Sequence, residues 1–226
     1  MTPARRSFAL LVALVLVAAH AVAQGAARDP ASLVAAIGSA KGERRATFIE
    51  IKTSSLLYAP LESRGTLLFR APDLLEKITT SPQRERIRIE GDTLTVEGAP
   101  IRGQAQRRVI ALSDVPLLAP LVESLRATLA GDLPALQRHY EVSLVRERWP
   151  IADENTRRDP RNDAAKKLAG ALAGAAAWTL MMVPRDPALR GAIERVLMHG
   201  VGAEIVLVEF AEVSGDRTQL WITPVR

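Results

Sequence analysis

The chain contains no cysteine among its 226 residues. It therefore forms no disulfide and offers no thiolate ligand to a metal ion. It also lacks the cysteine that a lipid-modified N-terminus requires directly after a signal sequence. These absences exclude a disulfide-built secreted domain, a thiolate metal site and a covalent lipid anchor.

Aromatic side chains and excess charge are also scarce. Aromatic residues make up 4% of the chain, too few for the stacking platforms that bind single-stranded nucleic acid. The 30 basic and 25 acidic residues give a net charge of +5, and removing Arg5 and Arg6 with an expected leader leaves 28 minus 25, or +3. So small an excess does not favour a polyanionic partner, and we expect no nucleic-acid binding.

The sequence contains no recognisable catalytic constellation. His139 and His199 lie sixty residues apart, and each is expected to end a helix rather than to bind a metal. No G-x-S-x-G elbow is present. The stretch Gly200-Val201-Gly202 is expected to follow a helix, the reverse of the dinucleotide-binding order, so it predicts a turn. We therefore expect no enzyme, metal or cofactor.

The N-terminus has the pattern of an export signal. Arg5 and Arg6 precede an apolar run at residues 8–19, and Ala21-Val22-Ala23 provides the small residues that a signal peptidase recognises. A retained membrane anchor is the alternative, but a bilayer span needs about 20 apolar residues. We expect cleavage between Ala23 and Gln24, which leaves a 203-residue protein that works outside the cytoplasm, with one domain at residues 24–226.

The first half of this domain has the pattern of an antiparallel meander. Short β-rich segments between residues 45 and 98 are separated by Pro-Asp, Ser-Pro and Gly-Asp pairs. In one of them Ile87 and Ile89 alternate with Arg86 and Arg88. Such a sheet has one polar and one apolar face, and the apolar face requires a cover.

Helices are available to provide that cover. Asp29 and Pro30 are suited to begin a short helix at its cap and first turn. A second helix is predicted between a cap at Asp114 and a stop at Gly131, followed by a short one at residues 133–138. The helical spacing in the longer segment is carried by Leu118, Leu121, Val122, Leu125 and Leu129.

The second half is interrupted by a charged insertion at about residues 146–177. It is expected to hold a solvated loop and then a small-residue helix at residues 164–177, either packed by its alanines at the surface or touching a membrane or partner. Three strands are expected in "WTLMMVP", "AEIVLVEF" and "TQLWITPV". A helix at residues 185–200, capped by Gly200 and Gly202, is expected between the first two.

The motif "GTLLFRAPDLLEKITTSP" followed by "IRIEGDTLTV" resembles the periplasmic outer-membrane lipoprotein carriers of the LolA-like family, and the closing strands resemble a divergent branch associated with polyene or polysaccharide export. The resemblance implies an α+β fold, an antiparallel unclosed β-barrel (half-barrel) whose apolar concave face is covered by helices. It also implies acyl cargo, inner-membrane export machinery as donor and an outer-membrane acceptor. The matching residues are Gly65, Phe69, Pro72, Asp73, Leu75, Pro82, Gly91 and Leu94.

The expected function is a periplasmic carrier that binds lipoprotein or other acyl-linked cargo between sheet and helices. The alternative is a structural adaptor of an envelope export complex, with the sheet fully packed and no cargo. An acyl hydrolase would need a nucleophile beside a histidine, which the sequence does not suggest. The residues expected to line the cargo site are Leu67, Phe69, Ile87, Ile89, Leu94, Val96, Leu118, Leu121, Val122, Leu125, Leu180, Met182 and Leu207.

Overall fold

The structure, a computed structural model, describes residues 29–40, 42–101, 104–115, 117–145 and 177–225. The expected leader and its cleavage site lie outside these residues. So does the 146–177 insertion, except Ala177, which begins a strand.

The described chain forms eleven strands, four helices and one 3-10 turn at Leu112–Asp114. The helices are α1 (Pro30–Gly38), α2 (Leu118–Ala130), α3 (Leu133–His139) and α4 (Pro187–Arg190). The strands are β1 (Glu43–Thr53), β2 (Leu61–Arg70), β3 (Leu74–Ser81), β4 (Glu85–Glu90), β5 (Thr93–Ile101), β6 (Gln104–Ala111), β7 (Tyr140–Val145), β8 (Ala177–Pro184), β9 (Ile193–Val201), β10 (Glu204–Glu212) and β11 (Arg217–Pro224).

All eleven strands belong to one open antiparallel sheet. Their order is β6-β5-β4-β3-β2-β1-β11-β10-β9-β8-β7, so each half of the chain forms a meander and β1 joins the halves by pairing with β11. The fold is therefore α+β with a large unclosed antiparallel sheet, as the sequence predicts.

The sheet has two chemically different faces. Ile87 and Ile89 are buried on the face that packs against the helices, which we call the inner face. Arg86 lies on the opposite, outer face, where its guanidinium donates to Glu76 Oε2 at 2.6 Å. The predicted alternation in β4 is confirmed.

The helix expected at residues 185–200 is wrong beyond its first turn. Only Pro187–Arg190 is helical, and Ile193–Val201 is a strand that pairs with both β8 and β10. Val196 and Met198 alternate onto the inner face, so pairing on both sides overrides the helical reading. Gly202 turns the chain with φ 59° instead of capping a helix.

The covering helices begin and end mostly as predicted. The Asp29 carboxylate accepts from Ser32 N at the start of α1, and Gly131 ends α2 in the left-handed region at φ 79°. Asp114 does not cap α2, which begins after Leu117. At Gly38 an added Cβ would lie 2.3 Å from Gly131 N, so two glycines allow the ends of α1 and α2 to touch.

Candidate functional site

The largest apolar cluster lies between the inner face and helices α1 to α3. Helix α1 contributes Leu33, Val34 and Ile37, which are at most 1% exposed. All but one of the predicted lining residues lie in this cluster or pack against it, with Val96 and Leu121 only partly buried. Those buried within it are Leu67, Phe69, Ile87, Ile89, Leu94, Leu118, Val122, Leu125, Leu180 and Met182.

Leu207 is the exception, and its expected place on the helix-covered face is wrong. It is fully buried in a second, smaller cluster with Trp221, against which Ile49 and Ile51 pack. Val208 and Phe210 of the same strand lie in the main cluster. The pairing of β10 with β9 is irregular between Ile205 and Leu207, so simple alternation along this strand does not predict the face.

One arginine ties the sheet to the helices. Arg44 on β1 donates to the main-chain oxygens of Ile37 at 3.3 Å, Ala40 at 2.6 Å and Leu129 at 2.9 Å. Its guanidinium also lies 5.3 Å from the centre of the Phe69 ring. Burial lowers the pKa of Arg44, yet the guanidinium stays protonated and charged at neutral pH. It therefore joins α1 and α2 to β1 by polar contacts at the edge of an apolar interface.

A second arginine makes the reciprocal contact from helix to sheet. Arg126 on α2 donates to the main-chain oxygens of Asp73 at 3.0 Å and Gly91 at 2.7 Å. Both acceptors lie in turns between strands, and the Asp73 carboxylate accepts from Gly91 N at 3.1 Å. The helical cover is thus fastened to the sheet at two places by guanidinium groups and main-chain oxygens.

The inner face is not apolar throughout. Lys77 on β3 is 1% exposed and its ammonium pairs with Glu50 on β1. Glu50 also accepts from the Ser63 hydroxyl at 3.1 Å, and the ammonium lies 4.9 Å from the centre of the Phe48 ring. An ion pair is therefore enclosed in the lining that the sequence predicts to be apolar.

A second carboxylate faces the same region. Glu85 on β4 lies opposite Thr79, which is two positions along β3 from Lys77. Burial raises the pKa of Glu85, Lys77 opposes the rise and Glu50 adds to it. Among the described residues, Glu85 Oε2 is buried without a hydrogen-bond partner. This region of the inner face therefore contains one ammonium and two carboxylates, of which Glu85 is half-buried.

These polar residues, and the two arginines, are absent from the sequence-based site. The available signal is the alternation in "LLEKITT", which places Lys77 on the same face as Leu75. Nothing in the sequence identifies Glu50 on β1 as the partner, since that contact crosses β2 and requires the strand order.

A further buried network lies on the outer face. His199 joins Thr179 Oγ1 through Nδ1 at 2.9 Å and Glu209 Oε1 through Nε2 at 2.9 Å, so it lies within a sheet instead of ending a helix. A hydroxyl, an imidazole and a carboxylate in series resemble the order of a catalytic triad. Thr179, however, is 2% exposed in the middle of a paired strand, an environment in which these groups stabilise the sheet.

The described residues contain neither a metal-ligand cluster nor a membrane-spanning helix. No group of three or more His, Asp or Glu side chains in that part of the chain could hold a metal ion. Nor is any helix of the described ranges long and apolar enough to cross a membrane.

Several solved structures resemble this chain distantly. A LolA superfamily protein from Nitrosomonas europaea has 13% identity over 86% of this chain and 91% of its own, with a TM-score of 0.38. A Vibrio parahaemolyticus domain provisionally assigned to outer membrane lipoprotein sorting has 12% identity over 87% of this chain and 89% of its own, with a TM-score of 0.40. MucB, solved in complex with MucA, has 15% identity over 86% of this chain but only 54% of its own, with a TM-score of 0.37.

The assignment to a family rests on the sequence of the chain itself. No curated protein matches it. A family model described as outer membrane lipoprotein carrier protein LolA-like matches residues 22–173, more than half of the chain, and this region includes β1 to β7 and the covering helices α1 to α3. The chain therefore belongs to the LolA-like family of outer membrane lipoprotein carrier proteins.

Proposed function

We propose that this protein is a periplasmic carrier that binds acyl chains of a lipoprotein or other lipid-linked molecule between the inner face and helices α1 to α3. An inner-membrane export complex would load the cargo and an outer-membrane acceptor would receive it. Binding, not catalysis, is the proposed activity, and it requires no cofactor.

The observation that carries the proposal is the composition of the interface between sheet and helices. Leu118, Val122 and Leu125 form one stripe on α2, and the facing sheet presents Leu67, Ile87 and other apolar side chains. Acyl chains can replace the helices on this surface, because each buried CH₂ contributes about 0.8 kcal/mol. Aliphatic and methionine side chains accommodate a flexible chain without demanding one shape.

The way in which the helices are fastened suits a cover that moves. Arg44 and Arg126 hold main-chain oxygens, which water can satisfy when the helices lift. A modest free-energy difference between closed and open forms is then enough for cargo to shift the population.

Titration with a fluorescent fatty acid tests the proposal. Leu121→Glu places a carboxylate on the partly buried side of α2, where burying it without a partner is costly, and should weaken binding at least tenfold. Val213→Glu is the matched control, because Val213 is 58% exposed in the β10–β11 turn. Stability must be measured in parallel and affinities compared at equal folded fraction. Equal affinity of the two variants, or no binding by wild type at micromolar protein, would contradict the proposal.

An adaptor without cargo is the second candidate, favoured by one observation. Leu118, Val122 and Leu125 are 2 to 5% exposed, so the closed form already satisfies its own apolar surfaces. Native mass spectrometry of protein purified from the periplasm separates the two functions. A carrier should retain lipid-sized adducts, whereas an adaptor should have the mass of the chain alone or of a protein complex.

Export is part of the same proposal. The N-terminus of purified protein should be Gln24 or a residue close to it, as determined by N-terminal sequencing. Recovery of Met1 on a membrane-bound protein would contradict periplasmic release.

A further inference from the structure

The strand register brings polar side chains together on adjacent cross-strand lines of the inner face. Glu50 lies opposite Ser63 on β2, Thr79 on β3 lies opposite Glu85 on β4, and Glu85 lies opposite Gly98 on β5. We call Glu50, Ser63, Lys77, Thr79 and Glu85 the polar row. Thr79 and Glu85 share one cross-strand line with Gly65, Glu50 and Ser63 lie one same-face position beyond that line, and Lys77 lies one same-face position before it. The line of Lys77 also contains Leu67, Ile87 and Val96. The apolar lining of β2 to β5 therefore ends at a polar boundary.

The Lys77–Glu50 pair is the satisfied part of this row. The Lys77 ammonium has Glu50 and the Phe48 ring as neighbours, and Glu50 has the Ser63 hydroxyl as an additional donor. Gly65 lies between Phe48 and Thr79 in the register, and an added Cβ would come within 2.9 Å of the Phe48 ring. The missing side chain leaves room for the ammonium to reach across β2.

Glu85 is the unsatisfied part. Its Oε2 is buried with no hydrogen-bond partner in the described ranges. One ammonium faces two carboxylates, so the row is one negative charge in excess when all three groups are ionised. A buried acceptor without a donor is destabilising, and more so when it is charged. A ligand that brings a donor would recover this cost, whereas an anionic ligand would add to the repulsion.

Space for a ligand group exists beside Glu85. Gly98 lies directly opposite, and a Cβ added there would have Gln106 Cβ at 3.7 Å as its nearest neighbour. That is an ordinary van der Waals distance, in contrast to the close approach at Gly65. An acyl chain that lies over Leu67 and ends at Ile87 would bring its polar end to this space. Glu85 is the residue two positions before Ile87 on the same strand, and alternate residues of a strand are separated by about 7 Å.

We infer that the polar row holds the head of an amphiphilic cargo, and that this head is a hydrogen-bond donor, either an ammonium or a hydroxyl group, received by the Glu85 carboxylate. The inference rests on the proposed binding of acyl chains and adds a preference among them. Carboxylate and phosphate heads are disfavoured at this position. The burial that raises the pKa of Glu85 agrees with a carboxylate oxygen that has no hydrogen-bond donor among the described residues.

The test uses three amphiphiles that share one chain: dodecylamine, dodecanol and dodecanoate. Isothermal titration at neutral pH, below micelle formation, should give wild-type affinities in that order, with dodecylamine about tenfold or more tighter than dodecanoate, the size of one charge-assisted hydrogen bond. In Glu85→Gln the advantage of dodecylamine should fall about tenfold. Glu97→Gln is the matched control, since Glu97 lies on the neighbouring strand and faces Arg86 and Arg107 on the outer face; it should leave all three affinities unchanged.

A second variant does not depend on the charge. Gly98→Val fills the space beside Glu85 and should weaken dodecylamine and dodecanol, while the unfolding midpoint stays near that of wild type. Equal wild-type affinity for dodecylamine and dodecanoate, or the same amine preference in Glu85→Gln as in Glu97→Gln, would overturn the inference and leave acyl-chain binding standing. Failure of all three amphiphiles to bind would overturn both.

Discussion

Two carboxylates in the same sheet, Glu209 buried and Glu85 half-buried, have opposite surroundings. Burial alone would raise the pKa of Glu209 on the outer face of β10, but hydrogen bonds with His199 at 2.9 Å and Gln219 at 2.9 Å, together with the charge of Arg217, hold it below its ordinary value. Burial raises the pKa of Glu85 on the inner face of β4, and the opposing attraction of Lys77 does not cancel it.

The difference is whether the fold itself supplies hydrogen-bond partners for the carboxylate. A buried polar network whose members are satisfied stabilises one structure, whereas a partly satisfied one carries an energetic cost that needs a reason. The Glu209 network is satisfied. The polar row is only partly satisfied, because Glu85 Oε2 has no hydrogen-bond partner among the described residues. The inner surface also differs between the two meanders: Leu180, Met182, Val196, Met198 and Val208 line the β8–β10 side, while β1 to β4 carry the polar row.

The largest expected effect comes from removing the only ammonium of the polar row. Lys77→Met should leave Glu50 and Glu85 facing each other without compensation, and lower the free energy of unfolding by about 3 to 5 kcal/mol. Urea unfolding measures this loss. Adding Glu50→Gln in the same chain should recover most of it. A loss below about 1 kcal/mol would mean that the ion pair is not buried as described.

Glycines on the same face should differ in tolerance. In Gly65→Ala the new Cβ would lie 1.8 Å from the Ile78 main-chain oxygen, so the strands must shift, at a cost of about 3 kcal/mol or more. In Gly98→Ala the new Cβ would lie at an ordinary van der Waals distance, 3.7 Å, from Gln106 Cβ. The substitution should therefore change stability by less than about 1 kcal/mol, since alanine also restricts the unfolded chain. Thermal or urea unfolding of the two variants gives the comparison; equal losses would contradict the different spaces beside β2 and β5.

Loosening the helical cover should have a smaller effect on stability and a visible one on binding. Arg126→Met removes two hydrogen bonds from a charged donor and should cost about 1.5 to 3 kcal/mol. It should also tighten fatty-acid binding, because a larger population is open before cargo arrives. Arg88→Met is the control, since Arg88 makes an exposed ion pair with Glu90 on the sheet, and such pairs contribute little to stability. Weaker binding by Arg126→Met would contradict a cover that must open.

The smallest expected effect is a pH dependence of opposite sign at the two carboxylates. Because the pKa of Glu85 is raised on folding, its contribution to stability falls as the pH rises from the ordinary glutamate value through the folded value. The pKa of Glu209 is lowered, so its contribution is present above the ordinary value and is lost as the pH falls through the folded value.

Each contribution is isolated as the difference between wild type and one isosteric variant. The stability of wild type relative to Glu85→Gln should decrease with rising pH, and that of wild type relative to Glu209→Gln should increase. Unfolding curves across the acidic range measure both. The same slope for the two variants would contradict the assignment of one satisfied and one unsatisfied carboxylate.

Local patterns predict much of this fold. Alternation correctly places Ile87 and Ile89 on the inner face, and helical spacing predicts the stripe of α2. These features depend only on residues a few positions apart. The register and the long-range order of the strands depend instead on residues far apart in the sequence. For this reason the sequence does not predict the strand at Ile193–Val201 or the place of Leu207 on the outer face.

The polar parts of the site escape for a related reason. A lysine in a half-polar strand such as "LLEKITT" is compatible with either face until register fixes it, and the partner of Lys77 lies two strands away on β1. The carbonyl acceptors of Arg44 are supplied by α1, α2 and the link after α1, elements whose proximity arises only from the assembled fold. The sequence identifies the apolar half of the candidate site, and the assembled fold adds the charged half.

Intermolecular NMR contacts to methionine methyl groups would test most directly whether acyl chains bind between the sheet and the helices. Beyond Met1 in the expected leader, the chain has three methionines: Met182 and Met198 lie in the inner cluster, and Met181 points to the outer face of the same strand as Met182. With methyl-labelled methionine and unlabelled dodecylamine, we expect nuclear Overhauser effects from the alkyl chain to Met182 and Met198 and none to Met181. Contacts to Met181 alone, or the absence of contacts to all three at saturating ligand, would contradict binding beneath the helices.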